Sequence, residues 1–279
     1  MSGSRGPERI LVHGRPDRSL QPWVLGFEGY REQAMTPFVM REVPRGFAVL
    51  IIGFGAPFGV GLAEHGLGGA SSYRSFLAGP HDRAALVSSS GWSYCIQVNL
   101  TLPGAVRLLG MPLRELANRI VTLEDVVPGV TELTERLYLA RGWPRRFVIL
   151  DEWLLCRLAQ AAGPSVELEW AWHRLDDMAG AWSVAGLAEE IGCSRKHLSL
   201  RFHDTFGLPP STMAQLLRFA RILGRLERDP ARSLAALALD CGYSDQPHLN
   251  RAFRRFAGVT PTAYLRARMP PPGGLAELR

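Results

Sequence analysis

The sequence has no long apolar run. Its longest nearly uncharged stretch, Phe47 to Gly55, is under half the roughly 20 residues a membrane-spanning helix needs, so no membrane partner is expected. Cysteine is scarce. Cys95, Cys156, Cys193 and Cys241 lie far apart with no CxxC pair, which argues against a zinc knuckle and a disulfide framework and leaves them as reduced, small core residues. The opening segment, Met1 to Arg9, is polar and holds Arg5, Glu8 and Arg9 with no apolar stretch behind it. It does not read as a secretory signal, and the expected address is the cytoplasm. Catalytic signatures are missing too, with no G-x-S-x-G and no clustered His and Glu. His65 beside Glu64, His81 beside Asp82, and Cys95 are too scattered for a metal site. No metal, no cofactor and no catalysed reaction are expected.

What is present is a globular composition. Of 279 residues, 47% are hydrophobic and 21% charged, enough apolar matter for one large or two modest cores. The net charge of +6 is unevenly placed. Residues 183–279 hold 14 Lys and Arg against 8 Asp and Glu, which is the whole excess, while residues 1–182 balance at 18 of each sign. A localised basic third is the electrostatic mark of a polyanion-binding module, although an anionic membrane surface or an acidic protein would suit it as well.

Between Phe38 and Leu102 the text reads as short strands: Phe38 to Val43, Phe47 to Phe54, Phe58 to Leu62, Ser71 to Ala78, Ala84 to Ser89 and Tyr94 to Leu102. Glycine, proline and Asp/His breakers separate them at regular spacing, which predicts a sandwich or small barrel. From Pro103 the period becomes helical, over Leu113 to Ile120, Val130 to Ala140, Trp143 to Ala162 and Pro164 to Ala179. The leucine stripes from Val130 to Ala162 suit either a homodimer seam or a cap on the strand domain's own core. The reading is three parts: a β-rich sensing or dimerisation domain at 1–165, a linker helix region at 166–182, and a helical domain at 183–279.

The helical part contains a loose repeat. Leu187, Ala188, Gly192, Ser194, Leu198, Phe202 and Gly207 recur, at offsets that agree apart from a one-residue step at the cap, as Leu237, Ala238, Gly242, Asp245, Leu249, Phe253 and Gly258. Each copy reads as a helix with an apolar inner face, a glycine turn, a Ser or Asp cap, and a second helix packed back by Leu and Phe four apart. This is a helix-turn-helix pattern occurring twice. With Leu198 and Phe202 inward, the first copy presents Arg195, Lys196, Ser199, Leu200 and Arg201. With Leu249 and Phe253 inward, the second presents Gln246, His248, Asn250, Arg251, Arg254 and Arg255. Gln, Asn and Arg match adenine and guanine edges bidentately, and trailing arginines suit phosphates, so double-stranded DNA is the expected partner. Cys193 and Cys241 each sit at a turn before a reading helix, where oxidation would misplace that helix; buried turn cysteines are the plainer reading.

The two copies are joined by Pro210 to Arg228, whose apolar stripe at helical spacing runs through Met213, Leu216, Leu217, Ala220, Leu223 and Leu226. About 19 residues at about 1.5 Å each give about 28 Å, near the roughly 34 Å between successive major-groove faces on one side of B-DNA.

On these residues the segment 183–268 resembles the DNA-binding domain of AraC/XylS-type transcription regulators. Leu239, Cys241 to Ser244, Leu249, Arg251, Phe253, Arg254, Phe256, Gly258, Thr260, Pro261 and Tyr264 follow the family's closing signature, and the first copy matches through Leu187 to Pro210. Leu200 departs from the polar residue or arginine common at that position. The resemblance implies transcription control, RNA polymerase as a partner, and an N-terminal ligand-sensing or dimerising domain, frequently cupin-like. The fold class expected is therefore α+β: a cupin-like sandwich or barrel with trailing helices, then an all-α domain of two helix-turn-helix units joined by a long helix. Trp23, Arg41, Arg74, Trp92 and Tyr94 are candidate lining for a pocket taking an aromatic or carboxylated effector. The rival reading is a small-molecule-binding or catalytic β-barrel with a basic helical interaction module.

Overall fold

The structure is a computed structural model that describes residues 8–34, 36–178, 180–267 and 275–276. The sequence readings that fall on Met1 to Pro7, on Ala179 and on Arg268 lie outside the described residues. Strands β1 (Glu8–Gly14), β2 (Val24–Gln33), β3 (Phe38–Glu42), β4 (Ala48–Gly53), β5 (Phe58–Leu62), β6 (Ser71–Tyr73), β7 (Phe76–Ala78), β8 (Ala85–Ser89), β9 (Trp92–Leu100), β10 (Ile120–Thr122) and β11 (Leu275–Ala276) form two antiparallel sheets. One has the order β1-β2-β9-β4-β7-β10 and the other β11-β3-β8-β5-β6. The helices are α1 (Leu102–Leu109), α2 (Leu123–Val126), α3 (Val130–Leu139), α4 (Trp143–Gln160), α5 (Val166–Asp177), α6 (Val184–Ile191), α7 (Arg195–Phe206), α8 (Pro210–Arg228), α9 (Leu234–Asp240), α10 (Gln246–Phe256) and α11 (Pro261–Ala267). The chain is thus a β-rich sandwich followed by a helical region, as the patterning predicts.

Side-chain alternation gives the six-stranded sheet two buried faces. Ile96, Val98 and Leu100 of β9, with Phe27, Leu50, Ile52 and Leu77, turn outward and pack with α1 and α4 in the main core. Phe147 of α4 stacks on Phe27 at 5.8 Å between ring centroids. Gly29 is obligatory beneath this helix, because a Cβ there would overlap the Trp143 ring. The opposite positions, Tyr30, Ile51, Phe76 and Cys95, meet Phe58 and Val60 of the second sheet in a much smaller core. The main core itself continues from the sandwich through α5 to α10, so the two regions share one apolar interior.

Four local expectations are corrected. The strand Ser71 to Ala78 is broken at Arg74 and Ser75, because the chain there crosses from one sheet to the other and buried Ser75 turns its Oγ to accept the Gly53 N–H at 3.1 Å. Leu113 to Ile120 is no helix: a 3-10 turn covers Leu113–Leu116, Asn118 takes a left-handed φ of 55°, and β10 then pairs with β7. A helix not anticipated, α1, follows β9, capped by Thr101 Oγ1 accepting the Gly104 N–H at 3.1 Å and ended at left-handed Gly110. Strands β1 and β2 precede Phe38, where no strand is read from sequence. The glycines of β2 and the register shift between Val24 and Gly26 blur its alternation.

Candidate nucleic-acid interface and interior cavity

Two helix pairs are built alike. Ser183 caps α6, Ser194 Oγ caps α7 through the His197 N–H at 3.2 Å, and Asp245 Oδ1 caps α10 through the His248 N–H at 2.6 Å. Left-handed Gly192 and Gly242, at φ of 76° and 75°, turn the chain between the helices of each pair. Leu198 and Phe202 in α7, and Leu249 and Phe253 in α10, are fully buried, which fixes the outward faces.

The helix α8 covers Pro210 to Arg228, the span read from sequence, and both α7 and α10 pack on it. Phe219 at its middle meets Phe253 and Phe256 of α10 at 4.9 and 5.2 Å. Arg218 ties it further, donating to the Gly180 carbonyl at 2.9 Å while lying over the Tyr243 ring.

The outward faces carry the residues expected of them. In α7, Arg195, Lys196 and Leu200 are exposed, Ser199 and Arg201 half-buried. In α10, Gln246, Arg251, Arg254 and Arg255 are exposed, His248 and Asn250 half-buried. Their partners differ. Arg201 donates to Ser165 Oγ at 2.9 Å and pairs with Glu167 at 3.8 Å, so it is held by the start of α5. Arg255 donates to Gln215 Oε1 at 2.7 Å and reaches Asp82 of the sandwich at 3.6 Å. His248 is braced by Ser244 Oγ and the edge of Tyr243. Arg195, Lys196, Gln246, Asn250, Arg251 and Arg254 have no side-chain partner among the described residues, leaving their donors for an external acceptor.

The five candidate pocket residues are not brought together. Tyr94 lies with Trp143 and Phe54 around the buried Arg146 guanidinium, outside the sandwich interior. Trp92 sits beside Tyr94 under Arg31, and Trp23 lies under Arg107 at 4.8 Å. Arg74 is exposed, and the Arg41 guanidinium lies against Gly258.

A cavity of about 480 Å³ opens instead between the two sheets, and none of those five lines it. Its apolar part is formed by Phe58, Val60, Phe76, Ile51, Val87 and Ile120. Its polar part is formed by Glu28, Gln97 and Asn99 from the six-stranded sheet and Glu42 from the facing sheet. Asn99 Nδ2 donates to Glu28 at 3.4 Å, and Gln97 Nε2 donates to Asn99 Oδ1 at 2.8 Å. Burial pushes the Glu42 carboxyl up to about 7; Arg45 opposes this and Glu28 adds to it. At the rim, Arg45 Nη1 donates to Glu227 Oε2 of α8 at 3.3 Å and Nη2 to Oε1, a bidentate pair joining the sandwich to the helix that connects α7 with the second pair. Sequence reading missed this site, yet Gln97 and Asn99 alternating with Ile96, Val98 and Leu100 were its signal. Among the described residues there is no grouping of three or more potential metal ligands.

Comparison with known proteins agrees with the geometry of the helical region. Residues 187–267 match the family described as a helix-turn-helix domain. An AraC-like transcription regulator named in Streptomyces antibioticus is 36% identical over 98 residues, covering 35% of this chain and 31% of that protein. The HTH-type transcriptional regulator ArgR of Pseudomonas aeruginosa is 33% identical over 75 residues, covering 27% and 22%. The chain thus spans less than a third of these relatives' length. Among solved structures, ToxT from Vibrio cholerae aligns over 94% of this chain and 98% of its own, at 10% identity and a TM-score of 0.47. The C-terminal domain of AraT from Geobacillus stearothermophilus covers 38% of this chain and 89% of its own, at 21% identity and a TM-score of 0.35.

Proposed function

We propose that this chain, whose residues 187–267 match a helix-turn-helix domain, is a sequence-specific DNA-binding transcription regulator of the AraC type whose sandwich binds a small-molecule effector. The carrying observation is the pair of capped helices on one strut whose outward Arg195, Lys196, Gln246, Asn250, Arg251 and Arg254 side chains have no partner among the described residues. Base edges and phosphates supply the acceptors those donors lack. The division into residues 1–165, 166–182 and 183–279 follows from this reading, with α5 as the connecting helix. Double-stranded DNA and the effector are the partners, and the resemblance adds RNA polymerase and a second copy of the chain. Residues Tyr138 and Leu139 of α3 are exposed apolar surface for such a copy. The working compartment is the cytoplasm, where duplex DNA is accessible; among the described residues no helix is long and apolar enough to cross a membrane.

Effector and DNA communicate through the joints between the two regions. The Arg45–Glu227 pair borders the cavity and ends on α8, and Asp82 reaches Arg255 of α10. A ligand that moves Arg45 therefore acts on the strut that spaces the reading helices. A catalytic sandwich has less support: the cavity's only thiol among the described residues, Cys95, is pushed by burial up to about 12 and so stays protonated and a poor nucleophile. Burial also pushes the Cys241 thiol up, which makes the turn before α10 a poor redox switch.

The test is a gel-shift titration of the full chain on operator-bearing fragments. If about six arginines meet phosphates, affinity falls on the order of a thousandfold between 50 and 200 mM salt. Binding without a salt slope, or none to any duplex, refutes the reading, and turnover of a candidate ligand by the full chain establishes its catalytic rival.

A further inference from the structure

The cavity between the sheets has a charge that selects its ligand. Glu28 on β2 and Glu42 on β3 belong to opposite sheets, so their carboxylates approach the same space from two sides. Glu28 has the Asn99 amide as a neutral donor, while Glu42 has no hydrogen-bond partner among the described residues. Of the basic groups that border the cavity, His13 lies opposite Glu28 across the β1–β2 pairing, and the two arginines are already matched. Arg45 is bidentate to Glu227, and Arg83 is held by Glu64 at 2.7 Å and Asp82 at 3.3 Å. Desolvation keeps His81 toward the neutral form, with Nδ1 hydrogen-bonded to the Gly79 carbonyl. The net result is two acids without an ion-pair partner of their own, Glu42 sharing Arg45 with Glu227, on strands β2 and β3 of a space that Phe58, Phe76 and Ile120 line on β5, β7 and β10. An anionic ligand would have to displace Glu227 from Arg45 and lie beside two carboxylates, whereas a cation neutralises both.

We propose that the effector of this cavity is an amphipathic organic cation, a compact apolar body bearing a basic nitrogen, with the nitrogen seated between Glu28 and Glu42 and the body against Phe58, Phe76 and Ile120. This rests on the cavity being the effector site. It reverses the carboxylated effector that Arg41 and Arg74 suggest from sequence. The volume suits a ligand of ordinary metabolite size. Occupancy also supplies Glu42 with a counter-ion it need not share with Glu227.

The test is calorimetric titration of the full chain with three probes sharing one body: 2-(1-naphthyl)ethylamine, 2-(1-naphthyl)ethanol and 1-naphthylacetate. At pH 8 the amine binds at least about tenfold more tightly than the alcohol, and the acetate more weakly than the alcohol. Glu28→Gln with Glu42→Gln removes the preference for amine over alcohol, while a parent-like thermal melt and salt-dependent DNA binding show that the variant is folded. The amine tightens from pH 6 to pH 8 as Glu42 loses its proton, in surroundings that include Glu28, Glu227, Arg45, Arg83, His13 and His81. An acetate that binds as well as the amine, a preference that survives in the double variant, a flat pH response, or no binding of any probe overturns the proposal. A gel-shift on the same preparations separates the two readings. Salt-dependent DNA binding without amine binding sinks the ligand class alone, and amine binding without DNA binding sinks the regulator.

Discussion

The two reading helices are built on one plan and placed differently. The first, α7, is moored: Arg201 is bound to Ser165 and Glu167, Asp204 pairs with Arg114 at 3.4 Å, and Gly207 at its end lies against Pro80 and Leu113 of the β-rich region. The second, α10, meets that region through Arg255 and Asp82, while Gln246, Asn250, Arg251 and Arg254 have no side-chain partner among the described residues. Side-chain chemistry follows the same division. The moored helix exposes Leu200 where a polar residue would read a base, and the freer one offers Gln, Asn and Arg, the types that contact base edges bidentately. On the proposed reading, the difference gives base selection mainly to α10. It makes α7 the side on which a change in the sandwich is felt.

The largest effect that separates them is expected at the matching glycines that follow each helix. Gly207 has φ of 80°, and a Cβ there would stand 2.8 Å from both the Leu113 carbonyl oxygen and Pro80 Cγ. Gly258 has φ of 71°, and its Cβ would meet only the movable Arg41 guanidinium at 3.0 Å. Gly207→Ala therefore costs about 2–4 kcal/mol, strain plus overlap, and Gly258→Ala about 1–2 kcal/mol, strain alone. Denaturant unfolding of the two variants checks this; equal losses would mean that α7 is no more moored than α10.

Next in size is the effect on DNA. Arg251→Ala is expected to cost about 1–3 kcal/mol of operator affinity and to relax preference at one base pair, as for a side chain that reads guanine. Lys196→Ala should weaken all duplexes alike by a smaller amount, as for a phosphate contact, and reduce the salt slope by about one. Competition titrations with single-base operator variants decide between them. Uniform losses from Arg251→Ala would place α10 on the backbone and erase the division of labour.

How far this was legible in the sequence depends on the range of the forces involved. The helix-turn-helix units were readable because their caps, glycines and buried Leu and Phe are local. Ser194, Asp245, Gly192, Gly242, Phe202 and Phe253 each perform within a turn or two the task their type suggests. The span of α8 was readable from its stripe for the same reason. The cavity was not. Gln97 and Asn99, alternating with apolar neighbours, look like the wet face of a half-buried strand until a second sheet covers them. Glu28 and Glu42 are separated by a strand change that no local pattern encodes. Tyr94 packs on Arg146, more than 50 residues along the chain, and neither it nor its neighbour Trp92 lines the cavity between the sheets. Long-range pairing decided each of these.

The smallest expected effect is the most direct probe of the contact between α10 and the sandwich. Asp82 is mostly buried, accepts from Asn118 Nδ2 at 2.9 Å, and holds Arg255 at 3.6 Å across the boundary. Asp82→Asn keeps an oxygen for Asn118 and removes the charge that attracts Arg255. A half-exposed pair of this kind contributes about 0.2–1 kcal/mol, so its loss leaves Arg255 held by Gln215 alone, more available to phosphate, and raises DNA affinity by up to about fivefold. The gain shrinks with added salt, since both the lost pair and the new contact are screened. If the Asp82→Asn chain binds DNA no better than the parent at low salt, the tether does not restrain α10. The asymmetry between the units would then rest on the mooring of α7 alone.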